Sequence, residues 1–222
     1  MTFCRARRFG FVPGSKLMVT ALPCLFSFSL LAIAVAHGSG PYGFEDPAFR
    51  WLGTPSTVET WDDLAVFLAV PTIGTVLVLS VALGVAKRAL FRVAFYAALA
   101  GTALVISQHV AKPLVERSYY GELTFPSGNV TAVSATALAM WLALYPLVEK
   151  RVRNVALVIG AVWTLLMAFA VVGALWHTPL DALGSILLSV GIVTAGAAVF
   201  ERASTRGGPS AVEGRPMVQQ RD

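Results

Sequence analysis

Six apolar runs divide the chain, at about 17–36, 64–86, 89–111, 129–148, 153–175 and 180–200. Each is close to the ~20 residues that an α-helix needs to cross a hydrocarbon core of ~30 Å. The pattern predicts an all-α fold, a polytopic membrane helix bundle of about six transmembrane helices. The first run follows the basic stretch "RARRFGFVPGSK" and precedes the small residues of "AVAHGSG". It reads as an uncleaved helix, because it is long for the apolar part of a signal peptide; a cleaved signal is the alternative.

Composition agrees with the pattern. Hydrophobic residues make up 56% of the 222 positions and charged residues 13%, against about 45–50% and about 25% in soluble domains. The net charge of +5 resembles a nucleic-acid signal until the charges are placed along the chain. With the N-terminus in the cytoplasm, 14 of 17 basic residues fall on the cytoplasmic side, leaving Arg50, Lys112 and Arg117 outside, with eight of twelve acids. That asymmetry follows the positive-inside rule and accounts for the charge with no nucleic acid. Both termini are then cytoplasmic, and the expected location is a multi-pass protein of the cell membrane. The predicted organisation is a basic N-terminus (1–16), a first helix (17–36), an outer loop (37–63), a membrane core (64–200) and a disordered tail (201–222). Cys4 and Cys24 have no metal-ligand spacing, so neither a disulfide nor a zinc site is expected.

The candidate chemistry lies in three outer segments. In "KPLVERSYYGELTFPSGN", Lys112 is either an interfacial anchor or a phosphate ligand, and Arg117 offers a planar fork for phosphate oxygens. "PSGN" starts the fourth run. Ser127 can cap a helix there, and the same helix start, with Gly128 and Asn129, can bind an anion through backbone N–H groups. "HTPLD" starts the sixth. Thr178 and Asp181 form a capping box in one reading. In the other, Asp181 orients His177, whose second ring nitrogen becomes a nucleophile. His37 and His109 read as helix-end histidines. The 37–63 loop, with Phe44, Phe49, Trp51 and Trp61, reads as an interfacial segment or a lid. Cations, an anion-binding helix start and an imidazole–carboxylate pair on one face fit phosphoryl transfer to histidine and then to water, with no metal or cofactor required.

These segments resemble the type 2 phosphatidic acid phosphatase superfamily, membrane lipid phosphatases related to vanadium haloperoxidases. Its pattern is K-x6-R-P, then P-S-G-H, then S-R-x5-H-x3-D. The resemblance implies that His177 is the nucleophile, Asp181 its orienting partner and Lys112 a phosphate ligand. Ser127 and Gly128 would add donors, and Arg117 would stand in for the first motif's arginine. Three positions depart from the pattern: Tyr119 and Val171 replace its arginines and Asn129 replaces its second-motif histidine.

Asn129 bears on substrate choice. An amide cannot deliver a proton, and general acid catalysis contributes about 10²–10⁴-fold. An alkoxide leaving from a lipid monophosphate is about as basic as hydroxide, whose parent water has a pKa of about 15.7. A phosphate leaving from a diphosphate, with a second pKa of about 6, departs unassisted. The expected substrate is therefore a lipid diphosphate of polyprenyl type. The alternatives are a homologue that binds a lipid phosphate or a membrane partner without turnover, or a transporter or assembly factor on the same scaffold.

Overall fold

The computed structural model describes residues 12–206. Residues 1–11 of the basic N-terminus and the last sixteen positions of the tail lie outside the described residues. Helix α1 (Gly14–Val35) is followed by a short α2 (Asp46–Leu52) and the long α3 (Val58–Ala86). Helix α4 (Leu90–Ile106) continues through a π-helical turn (Ser107–Ala111) into α5 (Lys112–Val115). A two-residue strand pair, β1 (Ser118–Tyr119) and β2 (Glu122–Leu123), precedes α6 (Gly128–Leu144), α7 (Lys150–Gly173) and α8 (Pro179–Arg206). The helical membrane bundle is thus as the hydropathy pattern predicts.

Three boundaries differ from the sequence expectation. Five stretches are long and apolar enough to cross a membrane: α1, α3, Leu90–Val115, α7 and Pro179–Ser204. The expected sixth, α6, has 17 residues, or about 26 Å at ~1.5 Å per residue. It ends before Pro146, and its last carbonyls are closed from outside: Arg92 donates to Leu142 O (2.9 Å) and Ala143 O (3.0 Å). Helix α3 starts at Val58, six residues before the apolar run. Thr57 Oγ1 donates to Leu52 O (2.8 Å) and accepts from Thr54 N (3.2 Å), a side-chain-closed turn that launches the helix. Hydropathy marks where a helix becomes apolar, not where it begins. Residues 201–206, expected in a disordered tail, extend α8 instead, because Glu201 is buried against Arg92 (2.6 Å).

Helix α6 is the hub and packs on α3, α4, α7 and α8. Its small residues Ala135, Ala139 and Ala143 let α4 and α8 approach closely, as helices do where apolar burial alone does not hold them together. Polar contacts supplement the packing: Ser134 and Ser189 bond across α6 and α8 at 2.8 Å. Helix α1 lies along α8, where a Cβ at Gly191 would overlap Leu25. At the end of the bundle carrying the candidate residues, the 37–45 segment runs along the end of α5 and β1. His37 N–H donates to Val115 O (2.9 Å), Ser118 N–H to Gly38 O (3.0 Å) and Gly40 N–H to Ser118 O (2.8 Å).

Candidate active site

The three motif segments meet at one end of the bundle. The start of α6 is tied to the first turn of α8: Ser127 N–H donates to Asp181 O (3.3 Å), and Ser185 Oγ donates to Ser127 O (2.9 Å). Ser127 caps α6, its Oγ facing Val130 N–H at 3.5 Å. The N–H groups of Gly128 and Asn129 have no intrahelical acceptor, as at any helix start. The π-helical turn positions the opposite wall. In an α-helix each four-residue step drifts by roughly 40°. The wider turn offsets that drift, so Leu104, Gln108 and Lys112 keep to one side, in keeping with the frequent use of π-bulges at functional sites.

These walls enclose a cavity of about 330 Å³ lined by Leu104, Gln108, Lys112, Gly128, Asn129, Ala132 and His177. Four of the seven predicted residues therefore face one space: Lys112, Gly128, Asn129 and His177. Lys112 is the cation in that lining. Gln108 lies directly against Gly128, so that a Cβ there would overlap its carboxamide. A side chain at that helix start would push the Gln108 carboxamide aside, so glycine there leaves room for Gln108 in the cavity wall.

His177 is set by the turn between α7 and α8. Leu175 adopts φ 61°, and the N–H groups of Trp176 and His177 both donate to Val171 O (3.0 and 3.2 Å). The capping box then forms as the sequence indicates. Thr178 N–H donates to Asp181 Oδ2 (2.9 Å), and Asp181 N–H donates to Thr178 Oγ1 (3.3 Å). His177 Nδ1 lies 3.8 Å from the same Oδ2. That is too long for a hydrogen bond, though the ring faces the carboxylate, and such contacts commonly tighten when substrate binds. With Nδ1 toward Asp181, Nε2 is the nitrogen available to the cavity.

The remaining predicted residues sit elsewhere. Ser127 is buried and occupied as a cap, outside the cavity lining. Arg117, expected to bind phosphate, is completely buried behind Asp181. Its Nη1 donates to Thr178 Oγ1 (2.9 Å) and Asp181 Oδ1 (3.0 Å); its Nη2 donates to Glu45 Oε2 (2.7 Å) and Gly40 O (3.2 Å). The guanidinium also lies over the Tyr42 ring, 5.0 Å from its centroid. Arg117 acts on the anions of the site, not on a substrate's, because two buried carboxylates outcompete a solvent-facing cavity for it. His109 is exposed and outside the lining; exposed His37 pairs with Glu116 at 3.2 Å.

The three departures from the pattern also have a structural expression. Val171 is buried in an apolar cluster with Val130, Val133 and Met167. Tyr119 packs against Tyr120 with ring centroids 4.1 Å apart and the planes tilted by 37°. Burial, with the hydrogen bond to Tyr120, pushes its phenol up to about 12, and a neutral phenol stands where the pattern has a cation. Asn129 occupies the histidine's place in the cavity wall. Two residues missed in the sequence are Gln108 and Glu45. A polar residue one turn before Lys112 inside an apolar run was a usable signal for Gln108. Nothing local marks Glu45, which lies 72 residues from Arg117.

Among the described residues, no cluster of three or more His, Cys, Asp or Glu comes together as a metal site. Against known proteins, a solved structure from Bacillus subtilis, described as the first transmembrane PAP2 type phosphatidylglycerolphosphate phosphatase, superposes with a TM-score of 0.65 at 16% identity. The match covers 84% of this chain and 98% of that one, and it speaks to the fold. No curated protein matches the sequence. The PAP2 superfamily model matches residues 72–204, which span α3 to α8 and every residue lining the cavity. The chain therefore belongs to the PAP2 superfamily, and its fold is that of a membrane phosphatase in which Lys112, Gly128, Asn129 and His177 line one cavity.

Proposed function

We propose that this protein hydrolyses a lipid phosphate at the extracytoplasmic membrane face through a phosphohistidine intermediate, with a lipid diphosphate of polyprenyl type as its preferred substrate. The observation that carries this reading is the shared cavity: Lys112, the α6 N–H groups at Gly128 and Asn129, and His177 all line it. The terminal phosphate sits between Lys112 and the helix start, where the ammonium and the positive end of the helix dipole offset its charge. His177 Nε2 attacks phosphorus; the P–N bond forms as the P–O bond to the leaving group breaks, and the electron pair departs on that oxygen. Asp181 holds the Nδ1 proton through the step. Water then attacks the phosphorus, the P–N bond breaks, and inorganic phosphate leaves with the imidazole restored. The outer placement rests on the Lys/Arg asymmetry of the chain.

Asn129 sets the substrate preference. It donates a hydrogen bond but no proton, so a leaving group that departs as phosphate is favoured over one that departs as alkoxide. The test is phosphate release by the detergent-solubilised protein from a polyprenyl diphosphate and from a lipid monophosphate, alongside His177→Ala. Release from the diphosphate well above both the monophosphate and the variant is expected. Comparable turnover of the two lipids would sink the preference, and equal rates for wild type and His177→Ala would sink the hydrolase. The second reading, a homologue that binds a lipid phosphate without turning it over, is favoured by the neutral residues at Tyr119, Asn129 and Val171. It predicts phosphate binding without release.

A further inference from the structure

Asp181 faces His177 with one oxygen, and the other is already taken. Oδ1 accepts from Arg117 Nη1 (3.0 Å), while Oδ2 accepts from Thr178 N–H and faces His177 Nδ1 at 3.8 Å. A guanidinium beside a carboxylate ordinarily forms a two-pronged pair that occupies both oxygens. Here the second arm is turned away. Nη2 donates to Glu45 Oε2 at 2.7 Å, shorter than the bond to Asp181. Glu45 is itself fixed: Tyr42 N–H donates to Oε2 (2.9 Å) and Leu180 N–H, in the first turn of α8, donates to Oε1 (3.0 Å). Arg117 and Asp181 have no exposed side-chain surface and Glu45 has 1%, so water does not replace any partner.

We propose that Glu45 is a positioning residue: it holds one arm of Arg117 off Asp181 and so keeps the second carboxylate oxygen for His177. This rests on the reading of His177 as the nucleophile. The outer 37–57 segment is then part of the catalytic machinery and not a lid. Its carboxylate divides a single arginine between two anions, so that this trio carries a net negative charge next to the imidazole. Loss of that carboxylate lets Arg117 close on both oxygens of Asp181, and His177 loses the acceptor that fixes its tautomer.

The test uses Glu45→Gln, Arg117→Met and their double variant in the full-length, detergent-solubilised protein. The first readout is the rate at which diethyl pyrocarbonate modifies His177, followed by peptide mass spectrometry, which reports imidazole nucleophilicity without any substrate. The second is kcat and KM for phosphate release. Glu45→Gln should slow His177 modification and lower kcat by roughly 10- to 100-fold, the range found for partners that orient metal-ligating histidines. KM should change little, because Lys112, Gly128 and Asn129 are untouched. Removal of Arg117 should abolish the need for Glu45, so the double variant should match Arg117→Met alone and exceed Glu45→Gln. Unchanged His177 reactivity in a folded Glu45→Gln protein overturns the proposal. A double variant slower than Arg117→Met also overturns it, and that comparison holds even where Glu45→Gln alone does not fold. Wild-type protein that releases no phosphate, yet shows Glu45-dependent His177 reactivity, upholds the positioning role and removes the hydrolase reading.

Discussion

Two arginines form ion pairs at opposite ends of the bundle, Arg92 half-buried and Arg117 fully buried, and they do opposite things. Arg92 donates to Glu201 Oε1 (2.6 Å) and to the last carbonyls of α6, with Tyr96 OH donating to the same Glu201 oxygen (2.9 Å). Its guanidinium also lies 5.0 Å from the Tyr96 ring centroid and 5.7 Å from that of Phe200. Here the cation meets the Glu201 carboxylate away from the cavity that holds Lys112 and His177. Arg117 also sits among carboxylates, but it serves two of them, and a cavity with Lys112 and His177 lies beside it. The Arg92 pair is structural; it closes the short α6 and joins it to α4 and α8. Arg117, one guanidinium against two carboxylates, leaves a net negative charge to act on its neighbours, and here the neighbour is the histidine that faces the cavity.

If that contrast is right, substitutions at the two ends should separate activity from stability. The largest effect is expected at the cavity end. His177→Ala should reduce phosphate release by at least about 10³-fold, as loss of a nucleophile does, with the melting temperature little changed. Restoring a proton donor with Asn129→His should raise monophosphate hydrolysis by on the order of 10²-fold and diphosphate hydrolysis much less, the lower end of what general acids contribute. Parallel gains on both substrates would detach Asn129 from the leaving group. At the opposite end, Arg92→Met should leave Glu201 buried without its partner and destabilise the fold by about 3–5 kcal/mol, read as an earlier thermal transition. The turnover of the folded fraction should stay near wild type. A fall in kcat at unchanged stability would erase the distinction between the ends. The smallest effect should come from Gly128→Ala, whose added methyl displaces the Gln108 carboxamide. KM should rise a few-fold while kcat holds, and a larger fall in kcat would mean that Gln108 also acts in the reaction.

Much of the fold was legible because hydropathy reports on burial in lipid residue by residue. The bundle, the order of its helices and the α8 capping box all follow from spacings of a few residues, and the structure reproduces them. The exceptions were helix ends. The start of α3 is set by Thr57 and its turn, and the end of α8 by the pairing of Glu201 with Arg92, neither of which is a hydropathy signal. Within the site, Lys112, Gly128, Asn129 and His177 were legible for the same local reason. Each stands at a helix end, and helix ends of one parity gather on one face of a bundle.

The sequence by itself determined that the chain forms a helical membrane bundle and that a lysine, a helix start and a His–Asp pair share one side of it. The tertiary structure decided which of these side chains meet. Arg117 looked like a phosphate ligand because its type and place fit one, yet its partners lie 64 and 72 residues away at Asp181 and Glu45. Gln108 shares the cavity wall with Lys112 because a π-helical turn keeps the two on one side. A buried guanidinium goes to whichever anions surround it at the lowest desolvation cost, and that competition is settled only when distant segments pack.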